Sequence, residues 1–208
     1  MSDIDIPGFG KLWVANKPDL PLLVVFGGIA VAPSQIDGIA RNSNDDKPLQ
    51  SDVYMWNYMN SVKNRFHIFV SLPPRHLNGL RAYDAVVNSQ DQKFAPSRQI
   101  LYLFSGGYLP GMGLLGDKDH LNKFSAIFLV DIWMGNSTSA DFYAHLVNAN
   151  ADRVTYVFTQ GGAANGDARD KLVRKLGPQK ATKVDAQKGD VGYMTHMRTN
   201  TAAVGMLP

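Results

Sequence analysis

Serine, histidine and aspartate are the side chains this sequence can combine for covalent chemistry, because it contains no cysteine. That absence removes thiolate catalysis, disulfide frameworks and Cys-ligated zinc or iron–sulfur sites together. A serine hydroxyl becomes a nucleophile when an imidazole within hydrogen-bond reach takes its proton and a carboxylate orients that imidazole. Ser105 is the leading hydroxyl: it follows the apolar run ILYLF and precedes Gly106-Gly107, so a sharp turn there would hold it above the end of a strand. Five histidines compete as the base, namely His67, His76, His120, His145 and His196. His67 opens a strand and His145 falls inside a helix pattern. His76 follows Pro73-Pro74 near the carboxyl end of a strand and is the second choice. His196 lies in GDVGYMTHMRTN, which reads as a loop after the last candidate strand. For the acid, Asp131 ends the run AIFLV, next to the strand that carries Ser105, and Asp167 lies in the Gly-rich segment after the following run. Asp131 is preferred because Asp167 serves equally well as a helix N-cap. Each of these residues also has an ordinary structural use, in packing, capping or ion pairing.

The elements that must position them are legible as short apolar runs at residues 22–26 (LLVVF), 67–71 (HIFVS), 100–104 (ILYLF), 126–130 (AIFLV) and 154–158 (VTYVF). They are continuous in hydrophobicity rather than alternating, as parallel strands covered on both faces should be. Residues 181–186 fit a final strand. Helical patterns fall between the runs at residues 51–63, 80–87, 140–149 and 167–176, the last with Leu172, Val173 and Leu176 on one stripe and Gly177-Pro178 as its stop. This alternation predicts an α/β fold, a three-layer sandwich with a mostly parallel central sheet, formed by a single domain over residues 1–208. Sites in such sheets form at the carboxyl ends of the strands. Residues 32–50 read as an exposed loop or lid, and residues 73–80 and 108–120 as further segments that shape the pocket. The tail from Thr199 has no clear pattern.

ILYLFSGGY resembles the strand and nucleophile elbow of the α/β-hydrolase family, with PLLVVFGGI, HIFVSLPP and FSAIFLVDIW similar to the neighbouring strands. The resemblance spans residues 20–200 as a pattern. It departs at Leu103, where the family carries glycine two residues before the serine, so a leucine there must point away or the turn must differ. The resemblance implies a serine hydrolase acting on an ester, thioester or amide of a small molecule or peptide. It assigns the base to His196, and the oxyanion donors to the backbone N–H groups of Gly106 and of the Gly27-Gly28-Ile29 turn.

Composition excludes other classes. Hydrophobic residues make up 45% and charged residues 19%, which is globular rather than disordered. The net charge of +3 comes from scattered Lys and Arg with no basic block, so no nucleic-acid partner is expected. The longest apolar run, residues 20–32, is broken by Pro21 and Gly27-Gly28 and falls short of the roughly 20 residues a membrane span needs. No signal peptide is visible, which makes the cytoplasm the default location. The histidines lack ligand spacing, so neither a metal nor a cofactor is expected; oligomeric state is open. GMGLLG (residues 111–116) matches G-x-G-x-x-G, which raises a nucleotide- or phosphate-binding alternative, but it neither follows a strand directly nor leaves room for the helix that would hold a pyrophosphate. A non-catalytic binding or structural protein on a hydrolase-like scaffold is the other alternative, suggested by Leu103.

Overall fold

The computed structural model describes residues 2–27, 55, 56, 58–72, 77–89, 98–132, 137–149, 154–160, 166–188 and 194–208. Their strands are β1 (Ser2–Ile6), β2 (Gly10–Val14), β3 (Leu22–Phe26), β4 (His67–Ser71), β5 (Gln99–Phe104), β6 (Phe124–Val130), β7 (Val154–Gln160) and β8 (Ala181–Val184). They form one sheet in the order β1-β2-β4-β3-β5-β6-β7-β8. β2 runs antiparallel to β1 and β4, and every other neighbouring pair is parallel. The helices are α1 (Gly79–Asn88), α2 (Tyr108–Gly116), α3 (Lys118–Leu121), α4 (Ser137–Ala149), α5 (Gly166–Leu176) and α6 (Met194–Gly205).

The five long apolar runs are strands because both sheet faces are covered. On one face Val24, Phe26, Leu101, Leu103, Ile127 and Leu129 pack with Ala82 and Tyr83 of α1, Leu114 of α2, Tyr143 and Val147 of α4, and Leu172 of α5. On the other, Leu23, Val25, Ile68, Tyr102, Phe104, Phe128 and Phe158 pack with Met55, Met59, Met197, Ala203 and Val204. Alternate residues of one strand thus enter different cores, which is why the runs show no polar period. The result is an α/β three-layer sandwich with a mostly parallel central sheet.

Several elements differ from the sequence expectation. The β1–β2 hairpin is an addition at the sheet edge, with Asp5 opposite Lys11 in register and their charges 3.8 Å apart. Residues 108–116, part of a segment expected to shape the pocket, form α2, with Pro110 in its first turn, where a missing N–H costs nothing. GMGLLG is therefore helix interior rather than a phosphate loop. The patternless tail is α6, so His196 sits in the first turn of a helix and not in a loop. The helical expectation over residues 51–63 is met in part, by helical backbone at Met55-Trp56 and Tyr58-Met59 and a 3-10 turn at Asn60–Val62. Residues 32–50 and 73–76 lie outside the described residues.

Two glycines allow α2 to sit against the sheet. A Cβ on Gly107 would lie 2.0 Å from the Phe26 carbonyl oxygen, so only glycine lets the turn after β5 meet the end of β3. A Cβ on Gly111 would lie 2.5 Å from both Cδ atoms of Leu103. The departure at Leu103 is thus matched across the interface: the leucine points into the core, and the helix facing it gives up its own side chain. Gly111→Ala should destabilise the chain by about 1–3 kcal/mol through overpacking. Leu103→Ala in the same chain should relieve that strain, leaving the double variant at least about 1 kcal/mol more stable than the sum of the single losses. Urea denaturation of the four proteins checks this, and strict additivity would refute the contact.

Candidate functional site

β5 and β6 are parallel and end together, with Phe104 paired to Val130, so Ser105 and Asp131 leave the sheet side by side. Among the described residues these two are the non-glycine residues with positive φ, at 53° for Ser105 and 43° for Asp131. A left-handed backbone is unfavourable for any residue with a Cβ, more so for serine than for aspartate, and persists where the surroundings impose it. For Ser105 the surroundings are the strand behind it and the tight 3-10 turn Ser105–Gly107 that leads into α2. The backbone N–H of Asp131 donates to the Phe158 carbonyl at 2.8 Å, which ties it to the neighbouring strand β7.

The Asp131 side chain is fully buried, and two cationic or potentially cationic groups meet it. His196 Nδ1 forms a short hydrogen bond to Oδ2. The Arg169 guanidinium, from α5 and only 7% exposed, lies with Nε 3.5 Å from Oδ1. The His196 ring stacks on Phe104, the residue before Ser105, with centroids 4.5 Å apart and planes 26° from parallel. When Nδ1–H donates to the carboxylate, the neutral ring keeps its lone pair on Nε2, the tautomer a general base requires.

The helix that carries His196 is held in register from below. Tyr102, two residues before Phe104 on the same face of β5, donates its hydroxyl to Asn200 Oδ1 at 2.6 Å inside the core. Asn200 is one turn of α6 beyond His196, so two alternate residues on one face of the strand meet two successive helix turns. Burial raises the Tyr102 hydroxyl well above the ordinary tyrosine range, which keeps it a donor. At the far end of α6, Arg65 Nη1 donates to the carbonyls of Leu207 and Pro208.

Of the sequence candidates, Ser105, Asp131 and His196 therefore gather at the carboxyl edge of the sheet, and Gly106 follows Ser105 in the buried turn. Gly27 lies beside that turn, its carbonyl 2.8 Å from the point a Gly107 Cβ would occupy. Gly28, Ile29 and His76 lie outside the described residues, as does the side chain of Asp167, whose backbone is in the first turn of α5. His145 is an exposed residue of α4. His67 is buried, accepting from the Ala15 N–H on Nδ1 and facing the Pro18 carbonyl with Nε2, and burial lowers its pKa. Arg169 was not a candidate, yet a signal for it exists. It precedes Leu172, Val173 and Leu176 at helical spacing, so an arginine opens a stripe that faces the core. Among the described residues no cluster of three or more His, Asp or Glu could hold a metal ion, and no helix is long and apolar enough to cross a membrane.

No protein-family model and no curated protein matches the chain. In fold it is similar to Est1E from Butyrivibrio proteoclasticus, with a TM-score of 0.50 and 14% identity over 98% of this chain and 95% of that one. That similarity is one of α/β-hydrolase fold. A histone deacetylase from Saccharomyces cerevisiae aligns with a TM-score of 0.46 and 10% identity over 89% of this chain and 78% of its own.

His120 belongs elsewhere, on α3 ahead of the amino end of β6. Its Nε2 lies 3.0 Å from Asp84 Oδ1 and its Nδ1 3.1 Å from Asp117 Oδ1. The Asp84 contact leads in raising its pKa. A histidine pKa that is higher folded than unfolded adds stability below the unfolded value, and that stability is lost as pH rises through the folded value. His120→Gln should therefore cost more stability at about pH 6 than at about pH 9, where wild-type His120 is neutral. Denaturation at the two pH values measures the difference, and an equal loss at both would refute the charged pairing.

Proposed function

We propose that the chain is a serine hydrolase that transfers the acyl group of an ester, thioester or amide to water. The observation that carries the proposal is the left-handed Ser105 beside a buried Asp131–His196 hydrogen bond, on the ends of two adjacent parallel strands. In support, the three residues follow one another in the chain order Ser, Asp, His that α/β-hydrolases use. Leu103, the feature that favoured an inert scaffold, is accommodated by Gly111 without displacing the turn.

In this reading Ser105 Oγ attacks the substrate carbonyl carbon while His196 Nε2 takes the hydroxyl proton. The carbonyl oxygen becomes an oxyanion, which accepts hydrogen bonds from the backbone N–H of Gly106 and, as the family resemblance implies, from a backbone N–H within residues 27–29. Collapse of the tetrahedral adduct breaks the bond to the leaving group, and the imidazolium returns its proton to that group. A water molecule then repeats the sequence on the acyl-serine: it loses its proton to His196, its oxygen joins the carbonyl carbon, and Ser105 recovers its hydroxyl. Asp131 remains a carboxylate throughout and stabilises the imidazolium in each half-reaction. Asp131 is the acid in this reading and Asp167 a first-turn residue of α5.

A fluorophosphonate probe should label the wild-type chain at Ser105, identified by peptide mass, and should fail to label Ser105→Ala. With p-nitrophenyl acetate as substrate, Ser105→Ala and His196→Ala should each lower kcat on the order of 10⁴-fold or more while the circular dichroism spectrum is kept. Full turnover in either variant would overturn the proposal.

A further inference from the structure

We propose that Arg169 is a positioning residue for the Asp131–His196 pair: its guanidinium holds Asp131 as an anion, turns Oδ2 toward the imidazole and keeps the proton affinity of the pair low. The proposal builds on the hydrolase reading above and concerns how that same site is tuned. Asp131 has no solvent contact, and an unaccompanied carboxylate in that position would take up a proton. A protonated Asp131 could no longer serve as the acceptor for Nδ1–H. Arginine prevents this because its guanidinium keeps its charge at any working pH.

The two oxygens are divided between two helices. Oδ1 faces Arg169 of α5 at ion-pair distance and Oδ2 faces His196 of α6, so the carboxylate is approached from both sides. This division also sets a charge balance. Among the described residues, the neutral-imidazole state of the site holds the Arg169 cation and the Asp131 anion, and protonating His196 adds a second positive charge beside the same carboxylate. The arginine therefore opposes protonation of the imidazole, leaving it free of its proton when a serine hydroxyl must give one up, and ready to release the proton afterwards.

Three of the other charged side chains of α5 have partners away from Asp131. Lys171 and Lys175 of α5 pair with Asp141, and Asp170 pairs with Lys183. Arg198 lies two residues beyond His196 on α6, and Phe104 offers an apolar ring rather than a charge. A purely structural arginine would tie α5 to the sheet and contribute to stability without altering the titration of His196, which gives the two roles different signatures.

The test titrates the His196 ring by NMR in the full chain labelled with ¹³C-histidine, assigned by loss of its signal in His196→Gln. In Arg169→Met the apparent pKa of the pair should rise by about one unit, and in Arg169→Lys, which keeps the charge, it should stay near the wild-type value. The acid limb of kcat/KM for p-nitrophenyl acetate should move upward with it, with kcat falling and KM held. An unshifted titration in a folded Arg169→Met would overturn the proposal. Should that variant not fold, Arg169→Gln is titrated in its place under the same criterion. If neither charge-free variant folds in buffer alone, both are refolded with a stabilising osmolyte such as trimethylamine N-oxide and titrated there under the same criterion. Absence of probe labelling and turnover in the wild type would refute the hydrolase reading instead, and the NMR titration would still decide what Arg169 does to the pair.

Discussion

A carboxylate with no solvent around it is the most demanding group in this sheet, and the architecture of the carboxyl edge follows from how Asp131 is accommodated. Taking an ion of that size out of water costs several kcal/mol even after the protein relaxes, so the charge has to be met by partners of good geometry. Here α5 brings a guanidinium and α6 an imidazole to the carboxylate, while β7 accepts the Asp131 backbone N–H and fixes where the residue leaves the sheet. β7 and α5 follow one another in the chain, whereas Asp131 leaves the end of β6 and His196 comes from α6 near the end of the sequence. The contact requires β6 and β7 to be paired and helices to be packed on both faces, which makes it a cooperative consequence of the fold.

The same logic explains why α6 must be a helix. Its sequence, MTHMRTNTAAVG, contains three threonines and an asparagine, all weak helix formers. Tertiary contacts override that preference. Met197, Ala203 and Val204 enter the core, Tyr102 anchors Asn200, and Thr199 and Thr201 turn their hydroxyls back onto carbonyls one turn earlier. A histidine on such a helix has its position set by the whole strand beneath it. A loop-borne histidine would have its ring direction set by local backbone alone.

What the sequence made legible and what it hid divide along this line. Runs such as LLVVF and ILYLF announce strands because burial on both faces leaves no polar position in them, and the parallel α/β sandwich follows from their alternation with helices. Ser105 was visible through the glycines after it, since a tight turn at the end of a buried strand leaves few options. The β1 strand was hidden because five residues alternating Asp and Ile at an edge carry too little hydrophobic signal. Helix α2 was hidden by the glycines and proline in YLPGMGLLG, residues that argue against a helix locally. Of these, Gly111 is required by packing, because a Cβ there would meet the Leu103 side chain of β5.

Leu103 and Gly111 show how such local exceptions should be weighed. A turn that presents a serine in the left-handed region must bring the following helix close to the strand behind it, so at some point across that interface one side chain has to be absent. Which partner gives it up is arbitrary in energetic terms, because the space is shared and only the sum of the two volumes is constrained. A motif that fixes glycine on the strand records one solution to this constraint. The constraint itself is satisfied here by glycine on the helix, with Leu103 filling the volume. The left-handed Ser105 is compatible with either arrangement, since its backbone geometry depends on the close approach and not on which residue makes room for it.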